Sequence, residues 1–229
     1  MTEVYYFSGA GHSLAVAEYI ARELCCEAYN IEDGVNTYGR CETAVVVFPV
    51  YCQNIPRIVK DFLKKLEADY IAFAVTYGGI SYGNVLSEAQ ELASAIVTSA
   101  AIIPMGHTFL DGDFIFDKKP VSLFIERLKK KEAVRIPEKK KNIFADFLPG
   151  WRSRVSVKIK VSAECTGCNI CGDSCPMNAI KCGATSKDCI RCMKCVTSCP
   201  AGALSYEKGF LLNLYLNKKR KKKNIELII

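Results

Sequence analysis

Eight cysteines near the C-terminus fall into two copies of one pattern, Cys165-x2-Cys168-x2-Cys171-x3-Cys175-Pro176 and Cys189-x2-Cys192-x2-Cys195-x3-Cys199-Pro200, with every cysteine displaced by 24 residues. The repeat continues into Asn178-Ala179-Ile180 and Gly202-Ala203-Leu204. Three thiolates two residues apart wrap one tight loop around three corners of an iron–sulfur cube, and the cysteine after the longer gap reaches the other cube. The spacing therefore predicts two [4Fe–4S] clusters, one held by Cys165, Cys168, Cys171 and Cys199, the other by Cys189, Cys192, Cys195 and Cys175. Pro176 and Pro200 fix φ just past each crossing ligand and turn the chain away from helix.

Structural zinc also uses paired CxxC units, but each half here carries a third cysteine and a proline-marked fourth. A disulfide scaffold would be a short secreted chain, whereas Met1-Thr2-Glu3-Val4 has neither the basic start nor the small-residue cleavage site of an export signal. The segment from Val161 to Glu207 resembles the bacterial two-cluster ferredoxins, which implies one-electron transfer at low potential.

The chain has 229 residues, half of them apolar, which is enough for two domains once about 50 residues are given to the cysteine unit. The longest apolar runs, such as Ala44 to Val50, fall well short of the ~18 residues that span a bilayer, so a soluble chain is expected. Thirteen cysteines without an export signal lead to the expectation of a reducing cytoplasm.

The first 150 residues alternate between strand and helix patterns, which predicts a parallel sheet covered on both faces. Val4-Tyr5-Tyr6-Phe7, Ala44-Val45-Val46-Val47-Phe48 and Ile71-Ala72-Phe73-Ala74-Val75 are the unbroken apolar runs of doubly covered strands, and Ala100-Ala101-Ile102-Ile103 reads as an edge strand. Helices are expected over Ala15 to Cys25, Pro56 to Leu66, Tyr82 to Val97 and Pro120 to Lys130. In the second, Ile58, Val59, Phe62, Leu63 and Leu66 recur at helical spacing, with Asn54 placed to cap and Pro56 in the first turn.

Binding in such a sheet lies beyond the carboxyl ends of the strands, so the loops that follow them matter most. Ser8-Gly9-Ala10-Gly11-His12-Ser13 feeds a helix N-terminus and offers backbone N–H groups to an anion such as phosphate. It lacks the third glycine of a dinucleotide fingerprint, since Leu14 stands there. Two further loops, Pro49-Val50-Tyr51-Cys52-Gln53-Asn54 and Thr76-Tyr77-Gly78-Gly79 with Tyr82 and Gly83, could wall a planar ring, tyrosines against its faces and glycine amides at its polar edge.

Taken together, the three loops resemble those of the flavodoxin family over Thr2 to Lys131. The resemblance implies non-covalently bound FMN and an α/β fold with a doubly wound parallel sheet in the order 2-1-3-4-5, joined here to a small α+β dicluster unit. Ser8, Gly11 and Ser13 match the family's phosphate loop, while Ala10 replaces a usual hydroxyl, for which a protonated His12 could compensate. The whole chain resembles the flavodoxin–ferredoxin fusions of anaerobic microbes grouped as the EFR1 family, in which Y-F-S-G-x-G-x-S, F-P-V-Y and T-Y-G-G recur. The expected divisions are 1–150 for the FMN unit, with a connection from about 131, 151–209 for the cluster unit and 210–229 for a tail.

These centres suggest an electron relay between a redox protein partner, a ferredoxin or an oxidoreductase, and FMN. An FMN-dependent reductase of a small-molecule acceptor, with the cluster unit as electron inlet, is the first alternative; a redox sensor docking through its tail is the second. Lys187, Arg191 and Lys194 around the second cysteine set should raise the potential of that cluster above the first, where Gly167 and Cys168 offer amides instead. With only His12 and His107, nucleophilic triads have few members. His107 reads as a satisfied loop residue or as a lining of the flavin edge, and Cys52 as packing or as a redox-active thiol. Cys25, Cys26, Cys41 and Cys182 have no ligand spacing and read as packing residues.

Six consecutive cations, Lys218-Lys219-Arg220-Lys221-Lys222-Lys223, account for all but one of the formal net +7. A solvated tail is the default reading of this run, and peripheral contact with anionic lipid, led by Phe210 to Leu216, is the alternative. No groove-reading or aromatic motif accompanies the cations, so no nucleic-acid partner is expected. Between the units, Ile143, Phe144, Phe147, Leu148 and Trp151 are too apolar for a free linker and are expected to pack at the interface.

Overall fold

A computed structural model describes residues 1–33, 39–110, 116–140, 154–219 and 224–229. The connecting residues 143–151 and the cations 220–223 lie outside the described residues.

The N-terminal part forms β1 (Thr2–Tyr6), α1 (His12–Glu23), β2 (Ala28–Asn30), β3 (Cys41–Pro49), α2 (Arg57–Leu63), β4 (Ala68–Tyr77), α3 (Val85–Leu92), β5 (Ile96–Pro104) and α4 (Lys118–Lys130). β2, β1, β3, β4 and β5 pair in that order and all are parallel, the 2-1-3-4-5 arrangement of a flavodoxin-like doubly wound sheet. Alternate residues explain the two covered faces. Tyr5, Val46, Phe48, Phe73 and Val75 pack with Val59, Phe62 and Leu63 of α2 and with Val85, Leu86 and Ala89 of α3. Val4, Val45, Val47, Ala72 and Ala74 meet Val16, Ala17 and Ile20 of α1 and Val121, Phe124 and Leu128 of α4 on the other side.

The cysteine repeat forms a smaller unit. Its outer strands β6 (Val157–Val161) and β9 (Leu204–Lys208) pair antiparallel, and between them lie α5 (Ile170–Asp173), the hairpin β7 (Ile180–Lys181) and β8 (Ala184–Thr185), and α6 (Lys194–Thr197). The 24-residue displacement is visible in the backbone. Left-handed residues recur as Gly167 and Arg191, Asn169 and Met193, and Asn178 and Gly202. Ser174 and Ser198, also equivalent, share a hydrogen bond of 2.9 Å where the halves meet.

Several expectations are corrected. Ala100–Ile103 is not at the edge: after α7 (Phe210–Lys219) the chain returns as β10 (Glu226–Ile228), which pairs antiparallel with β5 and becomes the sixth strand. The described parts of the tail are therefore helix and strand. α2 starts at Arg57 behind Pro56, which is the N-cap in place of Asn54 and whose carbonyl accepts from Val59 and Lys60, while the Asn54 amide donates to the Cys52 carbonyl. α3 ends at Leu92 because Ala93 is already extended, leading into β5.

Candidate functional site

The loops after β1, β3, β4 and β5 converge at the carboxyl end of the sheet and, with residues of the cysteine unit and α7, enclose a cavity of about 190 Å³. Ser8, Gly9, Ala10, His12, Ser13, Pro49, Val50, Tyr51, Cys52, Gln53, Thr76, Tyr77 and Gly78 line it. Of the other residues expected to bind a cofactor, Gly11, Asn54, Gly79, Tyr82 and Gly83 do not line it.

Gly11 has a reason to be there. It is the N-cap of α1 with φ 89° and makes no side-chain cap, so the first N–H groups of a 12-residue helix are left for an anion at the cavity. Burial lowers the pKa of His12, so a neutral imidazole is favoured and the compensating charge expected from it is disfavoured. Ser13 is buried and bonds Thr76 at 2.7 Å, tying the first loop to the third.

The second loop is a tight reversal. Tyr51 and Asn54 exchange backbone hydrogen bonds of 3.0 Å across Cys52 and Gln53, both left-handed (φ 52° and 65°) although neither is glycine. Such strain persists only where the surroundings impose it. Gly83 leaves room for the turn, since a Cβ on it would lie 2.9 Å from Gln53. Cys52 is exposed and lines the cavity.

The tyrosines are held more tightly than a free stacking role needs. Tyr51 is edge-on to Phe7, with ring centroids 6.4 Å apart, and a Gly9 backbone hydrogen bond reaches its hydroxyl. Tyr77 stays on the cavity wall, edge-on to Tyr82. Tyr82 is withdrawn by its hydroxyl bond to Glu226 of β10 and by Lys139, whose ammonium lies 3.8 Å from the ring centroid.

Ile80 and Ser81 of the third loop also line the cavity, and sequence reasoning missed much of the remaining wall: Met105, Gly106, Thr108, Phe109, Ser156, Val157, Ile190, Arg191, Leu212 and Leu216. The loop after β5 carried a signal only in His107, which does line the cavity. Its Nδ1 accepts from the Phe109 backbone N–H at 3.2 Å, which leaves the neutral ring's proton on Nε2. Burial, aided by repulsion from His12 and Lys208, depresses its pKa to about 4. Tyr206 and Lys208 of β9 donate to the Thr108 and Phe109 carbonyls, so this loop is clamped by the cysteine unit.

Eight of the cysteines gather around two small cavities. Cys175, Cys189, Cys192 and Cys195 line one small cavity, and Cys165, Cys168, Cys171 and Cys199 another, with Cys182 beside the second. Among the described residues, no three His, Cys, Asp or Glu side chains converge closely enough to hold a single metal ion. In the first of these sets, burial foremost and then neighbouring sulfurs push Cys192 up to about 12 and Cys195 to about 11. Thiols so disfavoured as thiolates fit a site where bound iron supplies the compensating charge. Ala179 donates its backbone N–H to Cys175 Sγ at 3.2 Å.

This buried set abuts the large cavity. A Cβ on Gly9 would lie 2.3 Å from the Cys192 carbonyl oxygen and 2.7 Å from the Tyr51 hydroxyl, so only glycine permits the contact. Lys194 of α6 pairs with Glu32 beside β2 across the same junction. Ile190 and Arg191 line both cavities.

No helix among the described residues is long and apolar enough to cross a membrane. Among known proteins, residues 186–205, within the second half of the cysteine repeat, match the family described as 4Fe-4S binding domain. No curated protein matches the chain. Among solved structures, a putative flavoprotein from Bacteroides uniformis is 16% identical, covering 55% of this chain and 97% of its own, with a TM-score of 0.40. The Fusobacterium nucleatum flavodoxin bound to flavin mononucleotide is 11% identical, covering 56% of this chain and 92% of its own, with a TM-score of 0.37.

Proposed function

We propose that this chain is an electron-transfer flavo-iron–sulfur protein of the flavodoxin–ferredoxin fusion type, with FMN in the large cavity and a [4Fe–4S] cluster at each cysteine set. The observation that carries this reading is the contact of Cys192 with Gly9: a cluster ligand and the phosphate-loop glycine touch through backbone. Bound FMN exchanges one or two electrons and each cubane one, which suits a relay of single electrons from a redox-protein partner.

The residues fit these groups. The uncapped N-terminus of α1 and the Ser8–Ser13 loop can take the phosphate, the left-handed Cys52–Gln53 reversal and Tyr77 can border the ring, and Ile190, Leu212 and Leu216 keep water from its far side. Cys175, Cys189, Cys192 and Cys195 would hold the cluster nearer the flavin cavity. Cys165 and Cys168, exposed at the other set, would face the external partner.

Anaerobic purification with iron, sulfide and flavin analysis tests the cofactors. About eight iron, eight sulfide and one FMN per chain are expected, and bound zinc or a flavin-free protein that takes up no FMN refutes the reading. A second reading, an FMN-dependent reductase of a small molecule, is favoured by the apolar lining that Met105, Phe109 and α7 add beyond the three loops. Turnover of quinones, nitro compounds or enoyl substrates with reduced ferredoxin would select it over the relay.

A further inference from the structure

Arg191 occupies the wall between two cavities, one expected to hold flavin and the other a cluster. It is 8% exposed. Its Nε donates to the Val157 carbonyl at 2.9 Å, but Nη1 is sealed from solvent and has no hydrogen-bond partner among the described residues. The carboxylate at this junction, Glu32, is engaged by Lys194. A buried guanidinium with an idle donor costs several kcal/mol unless an electron-rich group meets it. The backbone adds a second sign of selection. The equivalent residue of the first cysteine repeat is Gly167 at φ 72°, whereas Arg191 adopts φ 56° with a full side chain, a conformation that glycine would take without strain.

We propose that Arg191 is a charge-supplying positioning residue shared by the two centres, which stabilises the reduced form of the flavin as well as the reduced cluster. The inference rests on the cofactor reading above. Two-electron reduction of FMN, accompanied by one proton at N5, leaves negative charge at N1 and its neighbouring carbonyl, so a fixed cation at the cavity favours the reduced form over the neutral oxidised ring. The same charge favours the electron added to the cluster of Cys175, Cys189, Cys192 and Cys195. A purely structural Arg191, pinning β6 through Val157, would move neither equilibrium.

The test compares full-length, anaerobically purified wild type, Arg191→Lys and Arg191→Gln, by FMN binding and by reductive titration with dithionite and mediator dyes. Arg191→Gln is expected to weaken binding of reduced FMN about tenfold or more while oxidised FMN changes less than about threefold, lowering the FMN midpoint by at least about 15 mV, and by about 30 mV where oxidised FMN is unaffected. Arg191→Lys should remain near wild type. Equal loss of both affinities, or no change, overturns the inference. Should Arg191→Gln fail to fold, the wild type alone decides. Reduced FMN must then bind at least as tightly as oxidised FMN, and a bound midpoint below that of free FMN in the same buffer overturns the proposal. A wild type that binds no FMN removes the cofactor reading itself, a result distinct from FMN that binds with unaltered potentials in the glutamine variant.

Discussion

His107 shows how a single side chain reports on the site. Its neutral ring is fixed by burial and by the Phe109 N–H, and its pKa of about 4 lies below the ordinary 6.5. The unfolded chain therefore takes up a proton near pH 6.5 that the folded protein refuses until about pH 4. Stability from this group is complete above pH 6.5 and is lost as pH falls through that window, by at most about 3 kcal/mol. The expected outcome is that His107→Gln flattens the fall in thermal stability from pH 6.5 to 5 relative to wild type; parallel curves would show that the ring is not buried as neutral imidazole. The cations around the second cysteine set divide in the same residue-by-residue way. Lys187 is exposed and screened, Lys194 is neutralised by Glu32, and only Arg191 is buried without a carboxylate partner. The higher potential proposed for the cluster of Cys189, Cys192 and Cys195 thus falls mainly to Arg191, against the opposing effect of burial. Glu32→Gln, which frees the Lys194 charge, is expected to raise that cluster's potential in an EPR-monitored titration. Lys187→Gln should leave it in place. A downward shift in Glu32→Gln would break this electrostatic account.

At the scale of elements, α7 and β10 turn what reads as a tail into a cover. Leu216 is fully buried against the cavity, whereas Leu211, one turn earlier, is 81% exposed. Leu216→Ala is expected to lower stability by about 2–5 kcal/mol and to speed FMN release about tenfold, with Leu211→Ala near wild type in denaturant melts and flavin dissociation. If both variants behave alike, α7 does not close the site. The central strands were legible because doubly covered strands leave unbroken apolar runs such as Ala44–Phe48. β2 left no such trace, having only Ala28, Tyr29 and Asn30 at a half-buried edge. β10 is obscured by the cations before it, since its pairing with β5 depends on a return of the chain that no local pattern encodes. That the three loops line one cavity was readable from their position after strands, and the grouping of the cysteines around two small cavities from their spacing. Ile190 and Arg191 were not, because they meet the cavity only once the cysteine repeat docks on the sheet, and in the loop after β5 only His107 carried a signal.

For the whole molecule, the proposed relay depends on that docking, and at Gly9 the two units meet through backbone. The clamps at Thr108 and Phe109 and the Lys194–Glu32 pair surround the junction, but each can yield by a side-chain rotation. The approach of Gly9 to the Cys192 carbonyl cannot, since both sides are backbone and Cys192 is fixed as a proposed cluster ligand. Gly9 does not require a left-handed conformation, so Gly9→Ala acts through contact alone and should fold. Its methyl group would push the cysteine unit away from the phosphate loop. Iron and FMN content are expected to stay at wild-type levels while flash-photolysis transfer between cluster and flavin slows about tenfold or more, as small displacements of reacting centres do. Ala10→Ser, in the same loop without that contact, serves as the control. An unchanged rate in Gly9→Ala would mean that electrons do not cross at Cys192, and the route would then have to be sought through the β9 clamp.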